Sequence, residues 1–201
     1  MRLVLASNNL KKLAELARLF EPLGVELLTQ GSLGIAEADE PFETFAENAL
    51  AKARHAALAS GLPALADDSG LSVDALGGAP GVRSARYALD AGGEKSDAAN
   101  NAQLLRALDG TALREARFVC ALVAVRRATD PEPLIAMGRW SGQILPAARG
   151  EAGFGYDPLL FIPTLGRSVA ELSAAEKDRH SHRAMAAADL ARQMRDVWRL
   201  S

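Results

Sequence analysis

The chain has a single cysteine among its 201 residues, Cys120. One thiol excludes an intramolecular disulfide framework and suits a reducing compartment. It lies in Phe118-Val119-Cys120-Ala121-Leu122-Val123, where a thiol serves as a small core residue rather than a nucleophile. Histidine is also scarce. Of three histidines, His180 and His182 are two apart and do not share a helix face as a His-x-x-x-His zinc pair would. Neither thiol chemistry nor a Ser-His-Asp arrangement is supported. No sign of charge dominates, with 23 Lys and Arg against 25 Asp and Glu, so nothing calls for a nucleic-acid polymer as partner. No apolar run approaches the roughly 18 residues of a membrane span. Met1-Arg2 leads straight into strand-like sequence without a signal-peptide pattern, so the expectation is a soluble, cytoplasmic protein with no membrane partner. Internal repeats and low-complexity segments are absent. Gly77-Gly78-Ala79-Pro80-Gly81 is a turn-rich loop and not a P-loop, because it lacks the Gly-Lys-Ser/Thr ending and a following helix.

What is present is a large apolar fraction, 49% of the residues, enough for a full core in a single domain over residues 1–201 with two lobes sharing a sheet. Arg2 to Leu5 reads as a strand, Ser7-Asn8-Asn9 as a tight loop, and the Leu10, Leu13, Ala17, Phe20 spacing as a helix. Val25 to Leu28 is a second strand. A helix is expected over Phe42 to Ser60, ended by Gly61. Leu62 to Ala66 and Leu71 to Leu76 read as short strands joined by a tight hairpin at Asp67-Asp68-Ser69-Gly70. Ser96 caps a helix from Asp97 to Leu108. Arg117 to Arg126, Leu134 to Ile144 and Leu159 to Ile162 are strands, the first two forming a hairpin. Ser173 and Glu176 have the capping-box form, and a further helix runs from near Ser181 to Leu200. Strands that neither alternate strictly with helices nor group together imply an α/β fold with a mixed sheet flanked by helices.

Four groups of residues could carry chemistry. Ser7, Asn8 and Asn9 at a helix start, with Lys11 and Lys12, make an anion site or, more plainly, an ordinary capped helix with a solvated basic turn. Asp67 and Asp68 offer hard oxygen ligands of the kind Mg²⁺ takes, although aspartates also favour turns for conformational reasons. Glu40 or Glu47 would complete an acidic cluster. Gly153-Phe154-Gly155-Tyr156-Asp157-Pro158 spends two of the chain's few aromatics on a loop, as stacking faces for a base or as packing on the core. Ser181-His182-Arg183 collects donors at a helix start.

The order of these segments resembles one family. Ser7 to Lys12, Thr44-Phe45-Ala46-Glu47-Asn48-Ala49, Ala66 to Leu71, Leu76 to Arg86, Gly153 to Pro158 and Ser181 to Arg183 are similar to the inosine/xanthosine triphosphate pyrophosphatases, the Ham1-like enzymes. The resemblance implies an elongated mixed sheet flanked by helices, two lobes with a cleft between them, and a homodimer. It implies Mg²⁺-dependent hydrolysis of dITP, ITP and XTP to the monophosphate and pyrophosphate. It makes Asp68 catalytic and, with Glu40, metal-binding. It assigns the nucleoside triphosphate to Ser7, Asn8, Asn9, Leu10, Lys11, Lys12, Ser69, Phe154, Gly155, Tyr156, Asp157, Lys177, His182 and Arg183. Ser7 and Asn8 stand where many relatives carry Thr and Gly, and Asn8 costs backbone freedom if its φ is positive. Two other readings are a Maf-like pyrophosphatase acting on pyrimidine or modified nucleotides and a nucleotide-binding module without hydrolysis. The Phe154 to Asp157 and Ser181 to Arg183 segments oppose the first, and intact Lys12, Asp68 and Glu40 oppose the second.

Overall fold

Seven strands and six α-helices follow one another irregularly in a computed structural model that describes residues 1–200. In chain order they are β1 (Arg2–Leu5), α1 (Leu10–Phe20), β2 (Glu26–Thr29), α2 (Phe45–Ser60), β3 (Ala64–Val73), α3 (Tyr87–Asp90), α4 (Asp97–Ala107), β4 (Glu115–Val125), β5 (Leu134–Ile144), β6 (Leu160–Ile162), β7 (Arg167–Ser168), α5 (Ala174–His180) and α6 (His182–Trp198). The strands form one sheet in the order β2-β1-β3-β4-β5-β6-β7. β1 runs parallel to both β2 and β3, whereas β6 is antiparallel to β5 and β7, so the sheet is mixed as the sequence pattern implies. No described helix is long and apolar enough to cross a membrane.

The chain divides into two compact units. One comprises Met1–Asp68, Cys120–Gly138 and the chain from His182 on; the other comprises Ser69–Val119 and Arg139–Ser181. In the first unit, Leu3, Leu5, Leu16, Phe20, Leu122 and Leu190 form a core in which α1 and α6 pack together. Each such side chain contributes about 1.5–3 kcal/mol when fully buried. A second cluster packs the alanine face of α2, Ala49, Ala53, Ala56 and Ala57, with Val4, Ala64, Ala66 and Val123. The second unit has its own core around Leu71, Leu104, Phe118, Trp140, Tyr156 and Leu159.

Helix starts follow the capping chemistry, and α2 begins at Phe45 rather than at the expected Phe42 because Thr44 caps it. Asn9, Thr44, Ser96 and Ser173 each accept backbone N–H bonds at the starts of α1, α2, α4 and α5. The hairpin expected at Asp67-Asp68-Ser69-Gly70 does not exist, because β3 is one continuous ten-residue strand through those positions. Asp and Gly are poor strand formers locally, but tertiary partners override that preference. Buried carboxylates gain cationic partners here, and Gly70 is small for a packing reason. A Cβ at Gly70 would lie 2.4 Å from the Gly81 carbonyl oxygen and 2.4 Å from Ser84 Oγ.

Gly138 on β5 seats the start of α6. A Cβ there would lie 1.8 Å from the His182 carbonyl oxygen and 2.9 Å from the Ala186 nitrogen, both backbone atoms that cannot swing aside. Gly138→Ala should therefore cost about 1–3 kcal/mol by overpacking, read as a lower midpoint in thermal unfolding. An unchanged midpoint would show that the helix start is not held this closely.

Candidate active site

In the first unit the turn after β1 is organised by its own side chains. Ser7 Oγ accepts from the Asn9 N–H at 3.1 Å. Asn9 Oδ1 accepts from the Lys11 and Lys12 N–H groups at 3.0 and 3.1 Å. The cap thus uses two of the helix-start donors that a bound anion would otherwise meet. Asn8 Nδ2 donates to Glu37 Oε1 at 3.2 Å. Arg199 is the one non-glycine at positive φ among the described residues, so Asn8 bears no backbone cost of that kind. The Leu10 side chain is exposed and Lys11 lies at the surface, whereas the ammonium of Lys12 turns inward to Asp67.

Asp67 is the hub of a buried ion network. Its Oδ1 accepts from Lys12 Nζ, and its Oδ2 accepts from Arg183 Nε at 2.8 Å and from the Cys120 thiol at 3.3 Å. Arg183 Nη1 also donates to Glu15 Oε2. Burial alone would raise the Asp67 carboxyl, but Arg183 and Lys12 outweigh it and hold the group well below the usual carboxylate range. Burial and the neighbouring Asp67 charge push the Cys120 thiol well up, so it stays protonated and inert. Lys12 and Arg183, both expected at the nucleotide, thus converge on one carboxylate. That carboxylate is not a free candidate for a metal.

Asp68 has different surroundings. Lys52 Nζ bridges Asp68 Oδ1 at 2.9 Å and Glu40 Oε1 at 2.7 Å. Asp68 Oδ2 is buried with no hydrogen-bond partner. Burial, its largest influence, pushes the Asp68 carboxyl up, and Lys52 only partly offsets this, leaving a net rise. Lys52 also rises. Burial works against its charge, but Asp68 and Glu40 together prevail. The two directions are compatible because desolvation dominates on the carboxylate and ion pairing on the ammonium. Glu47 is occupied elsewhere: Thr44 Oγ1 donates to its carboxylate at 2.6 Å, and its own N–H donates back to Thr44 Oγ1 at 3.3 Å. It belongs to the α2 cap, and Glu40 is the carboxylate beside Asp68.

The second unit holds the aromatic loop. Asp157 Oδ2 accepts from Lys177 Nζ at 2.7 Å and from the Phe154 N–H at 2.9 Å. Lys177 Nζ also stands 4.8 Å from the centre of the Phe154 ring, a cation–π contact. Gly155 is pinned through its N–H to Asp97 Oδ2 at 2.8 Å and through its carbonyl to Asn101 Nδ2 at 3.0 Å. Gly153 must be glycine here, with φ near 80° and a Cβ that would lie 2.0 Å from Asp157 Oδ2. Tyr156 is a core residue, its hydroxyl donating to the Ser84 carbonyl at 2.9 Å. Phe154 is half-buried and is the aromatic face left to the loop. Ser69 follows Asp68 on β3 and is half-buried, and His182 opens α6 with its side chain buried.

Sequence reading missed Lys52, Glu15, Asp97 and Asn101. Lys52 had one available signal: it is the only lysine in the alanine-rich stretch Ala46 to Ala59, four residues beyond Asn48 on the same helix face. The other three carry no local signal, because their partners lie far along the chain.

The chain matches the model of the Ham1 family over residues 3–193. It is 64% identical over 212 aligned positions to a dITP/XTP pyrophosphatase of Leptothrix cholodnii, covering all of both chains. It is 65% identical to a dITP/XTP pyrophosphatase of Methylibium petroleiphilum, over 98% of this chain and 99% of that one. Among solved structures, a HAM1 protein from Coxiella burnetii aligns with a TM-score of 0.90 at 42% identity, over 98% of this chain and 100% of that one. The Ham1 protein of Staphylococcus aureus aligns with a TM-score of 0.83 at 38% identity, over 96% and 97%.

Proposed function

We propose that this chain, which belongs to the Ham1 family, is a nucleoside triphosphate pyrophosphatase that clears dITP, ITP and XTP from the nucleotide pool. The products are the nucleoside monophosphate and pyrophosphate. The whole chain acts as one two-lobed domain, in the cytoplasm and as a homodimer. The observation that carries the reading is the pair of carboxylates, Asp68 and Glu40, bridged by the Lys52 ammonium, with one Asp68 oxygen buried and unpartnered.

That donor set fits Mg²⁺. It is all oxygen, it already favours a cation between its members, and it is too small to enclose one. Mg²⁺ keeps several waters and shares its coordination with substrate phosphates, so two carboxylates suffice. Asp68 and Glu40 would hold the ion, which when bound neutralises phosphate charge and acidifies water. Asp68 accepts a proton from the attacking water. The water oxygen bonds to the α-phosphorus, the bond to the bridging oxygen breaks, and pyrophosphate leaves with the electron pair. Ser7 to Lys12 take the phosphates, with Lys11 and Lys12 as point charges.

Phe154 offers a face for the base, while Tyr156, Asp157 and Lys177 keep that loop in shape. His182 and Arg183 supply donors to the 6-oxo group that hypoxanthine and xanthine carry and adenine lacks. A buried donor left unpaired by adenine discriminates by on the order of 10⁴-fold.

The test is pyrophosphate release from ITP, dITP, XTP, GTP, ATP, dUTP and UTP, with Mg²⁺ and with excess EDTA. Turnover of the first three should far exceed that of ATP, dUTP and UTP and should vanish in EDTA. Faster turnover of dUTP or UTP would refute the purine reading, and full activity in EDTA would refute the metal roles of Glu40 and Asp68.

A further inference from the structure

Glu40 lies in a stretch without regular structure between Ile35 and Thr44, yet its carboxylate is held beside Asp68. Three side chains of α2 hold that stretch. His55 Nε2 bonds the Ala36 carbonyl at 3.0 Å, Lys52 takes the Glu40 carboxylate, and Asn48 takes both backbone groups of Phe42. Positions 48, 52 and 55 are spaced to share one face of the helix. Asn48 is 1% exposed. Its Oδ1 accepts from the Phe42 N–H at 3.0 Å, and its Nδ2 donates to the Phe42 carbonyl at 3.0 Å. Phe42 itself is 43% exposed, so the packing of its ring does not fix the backbone there. The Asn48 amide does, two residues from Glu40.

We infer that Asn48 is a positioning residue for divalent-cation binding: by clamping both backbone groups of Phe42 it fixes Glu40 against Asp68. The inference rests on the proposed reading that Glu40 and Asp68 hold the metal. The structure adds that α2 delivers the clamp and the bridging lysine one turn apart, so the spacing of the two carboxylates is set by a rigid helix rather than by the loop. Without the amide, the Phe42 N–H and carbonyl turn to water, and Glu40 gains freedom that a bound cation must remove.

The experiment measures Mn²⁺ binding to the full chain without nucleotide, by the loss of the free-ion electron paramagnetic resonance signal. It compares wild type, Asn48→Ala, Asn48→Asp and Glu40→Gln, each checked for folding by circular dichroism. Asn48→Asp keeps the acceptor for the Phe42 N–H, so it is read if Asn48→Ala fails to fold. Residues that orient a metal ligand typically matter by 10- to 100-fold in affinity, so Asn48→Ala should weaken Mn²⁺ about 10-fold, with Asn48→Asp in between. Turnover of ITP at saturating metal should stay near wild type, and the preference among bases should not move. Wild-type Mn²⁺ affinity in folded Asn48 variants, with Glu40→Gln weakened, would overturn the positioning role alone. Wild-type affinity in Glu40→Gln would overturn the metal reading beneath it.

Discussion

Asp68→Asn should lower kcat for ITP by about 10²-fold or more, the scale of losing a general base, while the protein still folds. The substitution keeps the side chain's size and leaves one oxygen able to accept from Lys52. It removes the charge and puts an amide in the space of the two carboxylate oxygens. The stability change should be small, because the group already sits in surroundings that disfavour its charged form. Steady-state pyrophosphate release and a thermal melt on the same preparation separate the two effects. A folded Asp68→Asn protein with near wild-type turnover would remove Asp68 from the chemistry.

Arg183→Ala should destabilise the protein more than either Asp68→Asn or Gly138→Ala. Its guanidinium is almost wholly buried and faces Asp67, which has no exposed surface, and Glu15. Removing it leaves those carboxylates with too little countercharge, since Lys12 meets only one oxygen of Asp67. Breaking a buried pair in this way costs about 3–5 kcal/mol. Urea unfolding would show it as a lower midpoint with unchanged slope, and a loss under about 1 kcal/mol would mean that Lys12 alone suffices for Asp67. Because rate and stability fall together in this variant, selectivity is better read in Arg183→Lys, which keeps the charge and loses the planar fork. If Arg183 donates to the 6-oxo group, the ratio of kcat/KM for ITP over ATP falls in Arg183→Lys. If it meets only phosphate, both substrates lose equally and the ratio stays.

Local chemistry was legible where the signal is local. Ser96 and Ser173 cap helices as expected, Asn9 is the cap among the three candidates Ser7, Asn8 and Asn9, and β5 has the bounds expected of it. The error at Asp67 to Gly70 arose because two aspartates and a glycine spell a turn on any short-range rule. What makes them strand is remote: Lys12 is 55 residues away from Asp67, Arg183 116, and Ser84 13 residues from the Leu71 N–H it accepts. Tyr156 and Phe154 look alike in sequence. Only the fold separates a ring tied to Ser84 from one left half-buried beside Lys177.

The first unit is assembled from three separated pieces of chain, with three of its four boundaries falling inside β3, β4 and β5 and the fourth at the start of α6. Its last piece, α6, brings Arg183 to Glu15, 168 residues earlier. On the ribosome, therefore, the amino-terminal third carries Lys12 for one oxygen of Asp67 but is made long before Arg183, the cation that Asp67 and Glu15 share. Domains usually fold as units, in order of synthesis. Here the first-made segment cannot reach its final core until nearly the whole polypeptide has emerged. Premature termination anywhere before α6 leaves an exposed apolar sheet face, and Asp67 and Glu15 without the arginine they share, a product marked for aggregation or degradation rather than a partly active fragment.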